Sequence, residues 1–376
     1  MKILFPLGAF YPAQSGGPNN TIYWLTEALT QQNIDIYVVT TNLDILNSHN
    51  VKLNKWLSLN IVNVIYCKTF IHYFPVKFLY ESILKLKEVD IVQLTGLFYP
   101  PSLILYLVNK IFYKKKVVWS PRGELATEAL VYGSSIKKYY LKLLKKLLVN
   151  DFYFHTTSNE ETTLVLSHFK LEKIIQLPNY IKPNKKIQSN DKFDYLLFIG
   201  RISPKKAIEN LIKAIHISVV FNQKNMKLII AGNNKNSYGD DLKKLCKDLN
   251  LLNHVEFIGH VEKTTKDSLY ANAYITVMPS HNENFGNVVV ESLSQGTPVI
   301  ASTGTPWQIL QKYKAGYWIS NSPEKIAEIL DDVLILSKQE YNLMRLNSEK
   351  LMNEEFDVRN KVKNWIEFYN LITKKK

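Results

Sequence analysis

Short, nearly unbroken apolar runs recur along the 376-residue chain, and most are followed by a longer stretch whose apolar positions return at helical spacing. The runs are centred near Ile3, Ile36, Ile91, Val118 and Phe154, and again near Leu197, Ile229, Phe257, Ile275 and Val299. A strand that is apolar at consecutive positions is buried on both faces, and intervening helices supply the covering layers. The pattern therefore predicts an α/β chain of parallel sheets with helices on both sides. The alternation breaks over 177–194, LPNYIKPNKKIQSNDKFD, where prolines, asparagines and charges displace the apolar period. That stretch reads as a boundary between two domains. A hydrophobic content of 46% is ample for two cores.

Two segments stand apart. SSIKKYYLKLLKKLLVN, 134–150, puts Ile136, Tyr140, Leu143, Leu144 and Leu147 on one expected helix side and Lys138, Lys142 and Lys145 on the other. Such a basic amphipathic helix fits either a domain helix with solvated lysines or a surface lying on anionic lipid. Leu97 to Tyr113 is apolar but holds Pro100-Pro101 and is interrupted by Asn109 and Lys110, so it falls short of a spanning helix of about 20 residues. It reads as a loop and helix beside the ligand site, with lipid contact by its aromatics as the alternative. The opening MKILFPLGAFYP has too short an apolar stretch for a secretory signal and reads as a buried first strand. Lys374-Lys375-Lys376 reads as a solvated tail.

Charge sharpens the picture. The net charge is +14, and residues 1–185 hold 21 Lys and Arg against 12 Asp and Glu, a net +9, so the excess leans to the first half. Cys67 and Cys246 are far apart and in no paired motif, which supports neither a disulfide framework nor a thiolate metal site and makes the cytoplasm the natural compartment.

The candidate chemistry lies in the second half. Glu283 and Glu291 stand eight apart in ENFGNVVVE, where the turn Asn284-Phe285-Gly286-Asn287 runs into an apolar helix. Free amides at that helix start attract a diphosphate, and the glutamates accept from sugar or ribose hydroxyls. Upstream, the strand ending at Gly200 is followed by Arg201 and Lys206, two cations at a strand's carboxyl end. There they would neutralise a departing diphosphate. Taken singly, these features also fit a basic solvated loop and two surface glutamates.

Together and in order, GRISPKKA, IIAGN, VEFIGHV, PSHNENFGNVVVESLSQGTPVIAS and GTPW resemble the donor half of retaining glycosyltransferases of family four, of the bacterial surface-polysaccharide type. Upstream, PAQSGGPNN, DIVQLTGLFYPPS, WSPRGELATEAL, FHTTSNEE and LPNY extend the resemblance more thinly. The resemblance implies the GT-B fold, two Rossmann-like doubly wound domains facing a central cleft. These are an acceptor-binding domain over 1–185, a donor-binding domain over 186–355 and a closing helix over 356–376 that packs back on the first domain.

By the same resemblance, Arg201 and Lys206 grip the donor diphosphate, Glu291 holds the ribose, and Glu283 stands beside the transferred sugar. Asn284, Phe285, Gly286 and Asn287 offer backbone amides, Gly259, His260 and Val261 frame the nucleobase, and Gly16 and Gly17 let the backbone approach the diphosphate. Arg122 holds a place where many relatives have histidine. Always cationic, it is assigned charge stabilisation or acceptor positioning rather than proton transfer. Gln93 and Thr95 likewise replace frequent histidines, Ala207 a usual glycine, and Pro178-Asn179-Tyr180 a usual Pro-Asn-Gly.

The activity implied is metal-independent transfer of a hexose, with retention, from a UDP-sugar or GDP-sugar to a lipid-linked oligosaccharide of a capsule, O-antigen or exopolysaccharide. The acceptor hydroxyl attacks from the N-terminal side. No cofactor is expected, nor a metal site, since the chain has no Asp-x-Asp. The expected partners are the nucleotide sugar, the lipid-linked acceptor and an anionic membrane on whose inner face the protein sits; no nucleic acid is expected. A sugar-nucleotide epimerase or a phosphorylase of the same architecture, and a nucleic-acid-binding protein explained by the basic charge alone, stay open at this stage.

Overall fold

The computed structural model describes residues 1–374 apart from 14–16, 46–50, 127–128, 131–133, 149–150, 170–172 and 189–192. The chain divides into two compact units, one formed by 1–182 with the segment from Val358 onward and the other by 183–357.

The first unit is built on strands β1 (Lys2–Leu7), β2 (Asp35–Thr41), β3 (Trp56–Leu59), β4 (Val62–Cys67), β5 (Ile91–Thr95), β6 (Lys116–Ser120), β7 (Tyr153–Thr156) and β8 (Ile174–Gln176). They run in the order β3-β4-β2-β1-β5-β6-β7-β8. Neighbours are parallel except β3 with β4. Its helices are α1 (Gly17–Gln31), α2 (Val76–Leu86), α3 (Pro100–Val108), α4 (Ser134–Leu147) and α5 (Asn159–His168).

The second unit carries β9 (Tyr195–Ile199), β10 (Lys227–Ala231), β11 (Val255–Gly259), β12 (Ile275–Met278), β13 (Val299–Ser302) and β14 (Gly316–Ile319), in the all-parallel order β11-β10-β9-β12-β13-β14. With them are α6 (Ile208–Ile217), α7 (Val219–Gln223), α8 (Ser237–Asp248), α9 (Lys263–Asn272), α10 (Asn287–Ser294), α11 (Ile309–Tyr313), α12 (Pro323–Leu334) and α13 (Lys338–Leu351). The last helix, α14 (Val358–Lys374), belongs to the first unit, and its start is tied there by the Val358 amide donating to the Ile181 carbonyl at 3.0 Å.

Every strand centre read from the sequence lies in an observed strand. β3 and β4 escape the pattern because only Asn60-Ile61 separates them, a hairpin with no helix between, and β8 and β14 are short edge strands. Both sheets are covered on both faces, which is why their strands read as unbroken apolar runs. In the first unit Leu4, Val92 and Trp119 face α2, α3 and α4, while Ile3, Phe5 and Ile91 face α1 and α14. In the second, Leu196 and Phe198 pack under α6 and α12, and their alternates Leu197 and Ile199 pack with Tyr270 and Val288 of α9 and α10.

One expectation changes. In α4 the buried positions are Leu141 and Leu144, with Leu148 just beyond, whereas Ile136 is 82% and Leu143 45% exposed. The core-facing stripe is thus rotated from the expected side, and Ile136, Tyr139 and Leu143, at helical spacing, form a second apolar stripe turned to solvent. The 97–113 segment forms α3 and a further turn over Asn109–Tyr113, with Leu103, Leu105 and Tyr106 in the core. Among the described residues no helix is long and apolar enough to cross a membrane.

A buried polar chain fastens α14 to the first sheet. Tyr369 donates to Gln93 Oε1 at 3.1 Å, Gln93 Nε2 donates to Ser120 Oγ at 3.0 Å, and Ser120 Oγ lies 2.8 Å from His155 Nδ1. His155 Nε2 meets the Leu177 carbonyl at 2.9 Å. A carbonyl only accepts, so Nε2 carries the ring hydrogen, Nδ1 accepts from Ser120, and the chain runs in one direction through a neutral imidazole. Burial and the neighbouring Arg122 cation depress the His155 pKa to about 3. A histidine that resists protonation only in the folded state contributes stability fully present above its ordinary pKa near 6.5 and lost as pH falls toward about 3. Thermal unfolding followed from pH 7 to 4 should therefore show a falling midpoint for the native chain and a flatter profile for His155→Gln.

Candidate functional site

In an open parallel sheet the crevice lies at the carboxyl ends of the strands where their order reverses. In the second unit that point is between β9 and β12, because β10 and β11 extend to one side of β9 and the chain then returns to its other side. Gly200 and Arg201 follow β9, and Pro279 to Glu283 follow β12.

The loops there are pinned by backbone. The His281 amide donates to the Lys205 carbonyl at 3.0 Å and the Glu283 amide to the Gly304 carbonyl at 3.2 Å. Gly304 is sterically required, since a Cβ there would stand 2.0 Å from the His281 carbonyl oxygen. Between these anchors Lys206 and Glu283, 77 positions apart in the chain, form an ion pair with both side chains mostly shielded from solvent. Arg201 is exposed, and no ion pair among the described residues involves it. Ala207, in place of the usual glycine, adopts the left-handed conformation at φ 48° and is fully buried as the residue preceding α6. The backbone keeps the shape a glycine would take, at a cost of about 1 kcal/mol.

α10 begins on Gly286, which has φ 83° and offers no side-chain cap, so the first-turn amides meet no capping oxygen from that position. The turn is held from behind: Trp307 Nε1 donates to the Phe285 carbonyl, and the rings of Phe285, Trp307 and Phe356 cluster within 5.0 to 5.9 Å of one another. About one helical turn further, roughly 6 Å along the axis, Glu291 is met by Lys266 in an ion pair and by Tyr270 Oη at 3.1 Å.

Gly259 ends β11 with φ 75°, His260 is exposed and Val261 packs against the cluster under α9. These three stand beyond β10, about 10 Å from β9 at ordinary strand spacing. Asn284 and Asn287 flank the Phe285-Gly286 turn.

In the first unit Gly16 lies outside the described residues, and Gly17 opens α1. Arg122 sits at φ 56°; its Nη1 donates to Asn179 Oδ1 at 2.6 Å, while Nε is buried without a partner among the described residues. Burial lowers the Arg122 pKa, opposed by the nearby Glu161 carboxylate. The guanidinium borders a cavity of about 10 Å³ shared with Thr21, His155, Asn179, Tyr180 and Trp365, room for one water molecule. Arg122 thus turns inward and holds the Pro178–Tyr180 turn. Tyr180, where a glycine is usual, is buried and accepts from Asn364 of α14 at 3.1 Å.

Lys266, Tyr270 and Phe356 escape sequence reading, and Trp307 was visible only as the end of a motif without a role. Lys266 and Tyr270 are spaced by four on an ordinary helix, and nothing local distinguishes them from surface and core positions.

Residues 181–350 match the family model described as glycosyl transferases group 1. An uncharacterized glycosyltransferase of Methanocaldococcus jannaschii is 36% identical over 150 residues, 39% of this chain and 37% of that protein. The O-antigen chain mannosyltransferase RfbU of Salmonella typhimurium is 30% identical over 172 residues, 45% of this chain and 47% of that protein. The chain thus spans less than half the length of these two relatives. Among solved structures, Anabaena HepE in complex with UDP and glucose superposes with a TM-score of 0.74 over 99% of this chain and 100% of its own, at 17% identity, so the two share the fold, which is GT-B.

Gly286→Ala should destabilise the second unit by about 2 kcal/mol, because the added Cβ would sit at positive φ and 2.8 Å from Met278 Sδ; urea unfolding would measure the loss. The likeness to the group 1 glycosyl transferases is carried by residues 181–350.

Proposed function

We propose that this protein is a retaining, metal-independent glycosyltransferase that moves a hexose from a UDP-sugar or GDP-sugar to a hydroxyl of a lipid-linked bacterial surface glycan. One observation carries the reading: the Lys206–Glu283 pair, the exposed Arg201 and the Gly286 start of α10 lie around the switch point of one parallel sheet. A diphosphate needs such a combination of cations and helix-end amides. The UDP and glucose in the HepE complex and the O-antigen role in the name of RfbU support a nucleotide-sugar donor and a surface glycan.

In this reading the donor diphosphate draws the Lys206 ammonium away from Glu283, and Arg201 takes the outer phosphate oxygens. The freed Glu283 carboxylate accepts from sugar hydroxyls, the amides of Asn284 to Asn287 line the sugar and phosphate, and Gly259, His260 and Val261 border the base. The bond from the anomeric carbon to the phosphate oxygen breaks as the acceptor oxygen bonds to that carbon. The acceptor proton passes to the departing phosphate on the same face, so configuration is retained without a carboxylate nucleophile. The charge that develops is met by Arg201 and Lys206, which fits the absence of Asp-x-Asp from the sequence. The first unit is assigned to the acceptor, with Arg122 acting by positioning.

The same unit is assigned to the inner face of the cytoplasmic membrane. Its support is the outward stripe Ile136, Tyr139 and Leu143 on α4, set among the exposed Lys138, Lys142 and Lys145, together with Phe70, Ile71 and Phe74 before α2, of which Phe70 is 86% exposed. Apolar stripes flanked by lysines bind anionic lipid, each lysine contributing about 1 kcal/mol.

Lys206→Ala and Arg201→Ala should each lower kcat by about a hundredfold with smaller effects on KM, read by release of nucleoside diphosphate in the presence of acceptor. Unchanged turnover in both would refute the donor assignment. Lys142→Glu with Lys145→Glu should lower sedimentation with phosphatidylglycerol vesicles about tenfold or more, and equal sedimentation would remove α4 from the membrane surface.

A further inference from the structure

Glu291 uses its two carboxylate oxygens unequally. The Lys266 ammonium pairs with Oε2, and Tyr270 Oη donates to that same Oε2 at 3.1 Å. Oε1 receives no hydrogen bond from the described residues. Lys266 and Tyr270 are four apart on α9 and so present one helix face to α10. Tyr270 is fully buried, and burial beside Glu291 pushes its hydroxyl well above the ordinary range, so it remains a donor. Its ring is also tied down through the backbone, where Thr297 Oγ1 donates to the Tyr270 carbonyl at 2.5 Å.

A glutamate on an exposed helix face samples several rotamers, and a ligand that needs one of them must freeze the rest. Two donors on a single oxygen remove that freedom in advance and leave the lone pairs of the other oxygen unused. We infer that Lys266 and Tyr270 are positioning residues that grip Oε2 of Glu291 and so present Oε1 to the ribose hydroxyls of the donor. The inference rests on the donor reading of the second unit. It extends that reading by assigning the choice of a ribonucleotide to a side-chain relay that begins on the neighbouring helix.

The consequence is a preference for ribose that depends on residues which do not touch it. Calorimetric titration with UDP and GDP, each beside its 2′,3′-dideoxy counterpart, measures it. The native chain should bind one ribonucleotide about tenfold more tightly than the dideoxy form, as expected for a hydrogen bond to a charged group. Lys266→Met and Tyr270→Phe should each bring that ratio to about threefold or less by weakening the ribonucleotide alone, and Lys266→Arg should restore most of it.

If Lys266→Met and Tyr270→Phe keep the tenfold ratio, or weaken both nucleotides equally, the relay is refuted while Glu291 keeps its place. If Glu291→Ala keeps the ratio, the ribose assignment of Glu291 itself is wrong, and if the native chain binds none of these nucleotides the donor reading fails with it.

Discussion

The polar chemistry of the second unit is confined by the burial of a parallel sheet on both faces. Strands β9 and β12 spend their side chains on two opposed apolar layers, so charged groups emerge only where the strands end. At the carboxyl ends of β9 and β12, where the strand order reverses, the flanking loops are pinned by backbone bonds to the Lys205 and Gly304 carbonyls. An ammonium and a carboxylate held mostly out of water must then satisfy each other, and Lys206 and Glu283 do.

That pairing has a mechanistic meaning under the proposed function. A cation already matched to a carboxylate is held in a defined position, and an incoming diphosphate exchanges one anionic partner for another instead of stripping water from a bare charge. The same economy recurs one turn along α10, where Glu291 is held through one oxygen by Lys266 and Tyr270. Both glutamates of the ENFGNVVVE segment are therefore pre-positioned by residues from other elements. Trp307 stiffens the turn between them through the Phe285 carbonyl.

The first unit shows a different use of buried polarity. His155, Ser120 and Gln93 are buried beneath α14, and every link in the chain from Tyr369 of that helix to Leu177 has a donor and an acceptor. Three residues that differ from what the resemblance expects have partners in this interior. Gln93 bridges a hydroxyl on α14 to a hydroxyl on β6, Tyr180 reaches Asn364, and Arg122 braces Asn179. Gln93 and Tyr180 are bonded directly to the closing helix, and Arg122 shares a small cavity with its Trp365.

Much of this architecture was legible in the amino-acid order, because burial on both faces and the alternation of strand with helix depend on local composition. The apolar runs located β1, β2, β5 to β7 and β9 to β13, and the glycine turn before Asn287 marked the helix start near which Lys206 and Glu283 meet. The tertiary structure alone decided which face of α4 is buried, since Leu141 and Leu144 or Ile136 and Leu143 satisfy helical periodicity equally and only the neighbouring strands choose between them. It alone turned Arg122 inward and brought Lys266 and Tyr270 to Glu291. Those pairings join residues far apart in the chain, and whether two distant charges meet depends on strand order and helix packing, which no local stretch of sequence encodes.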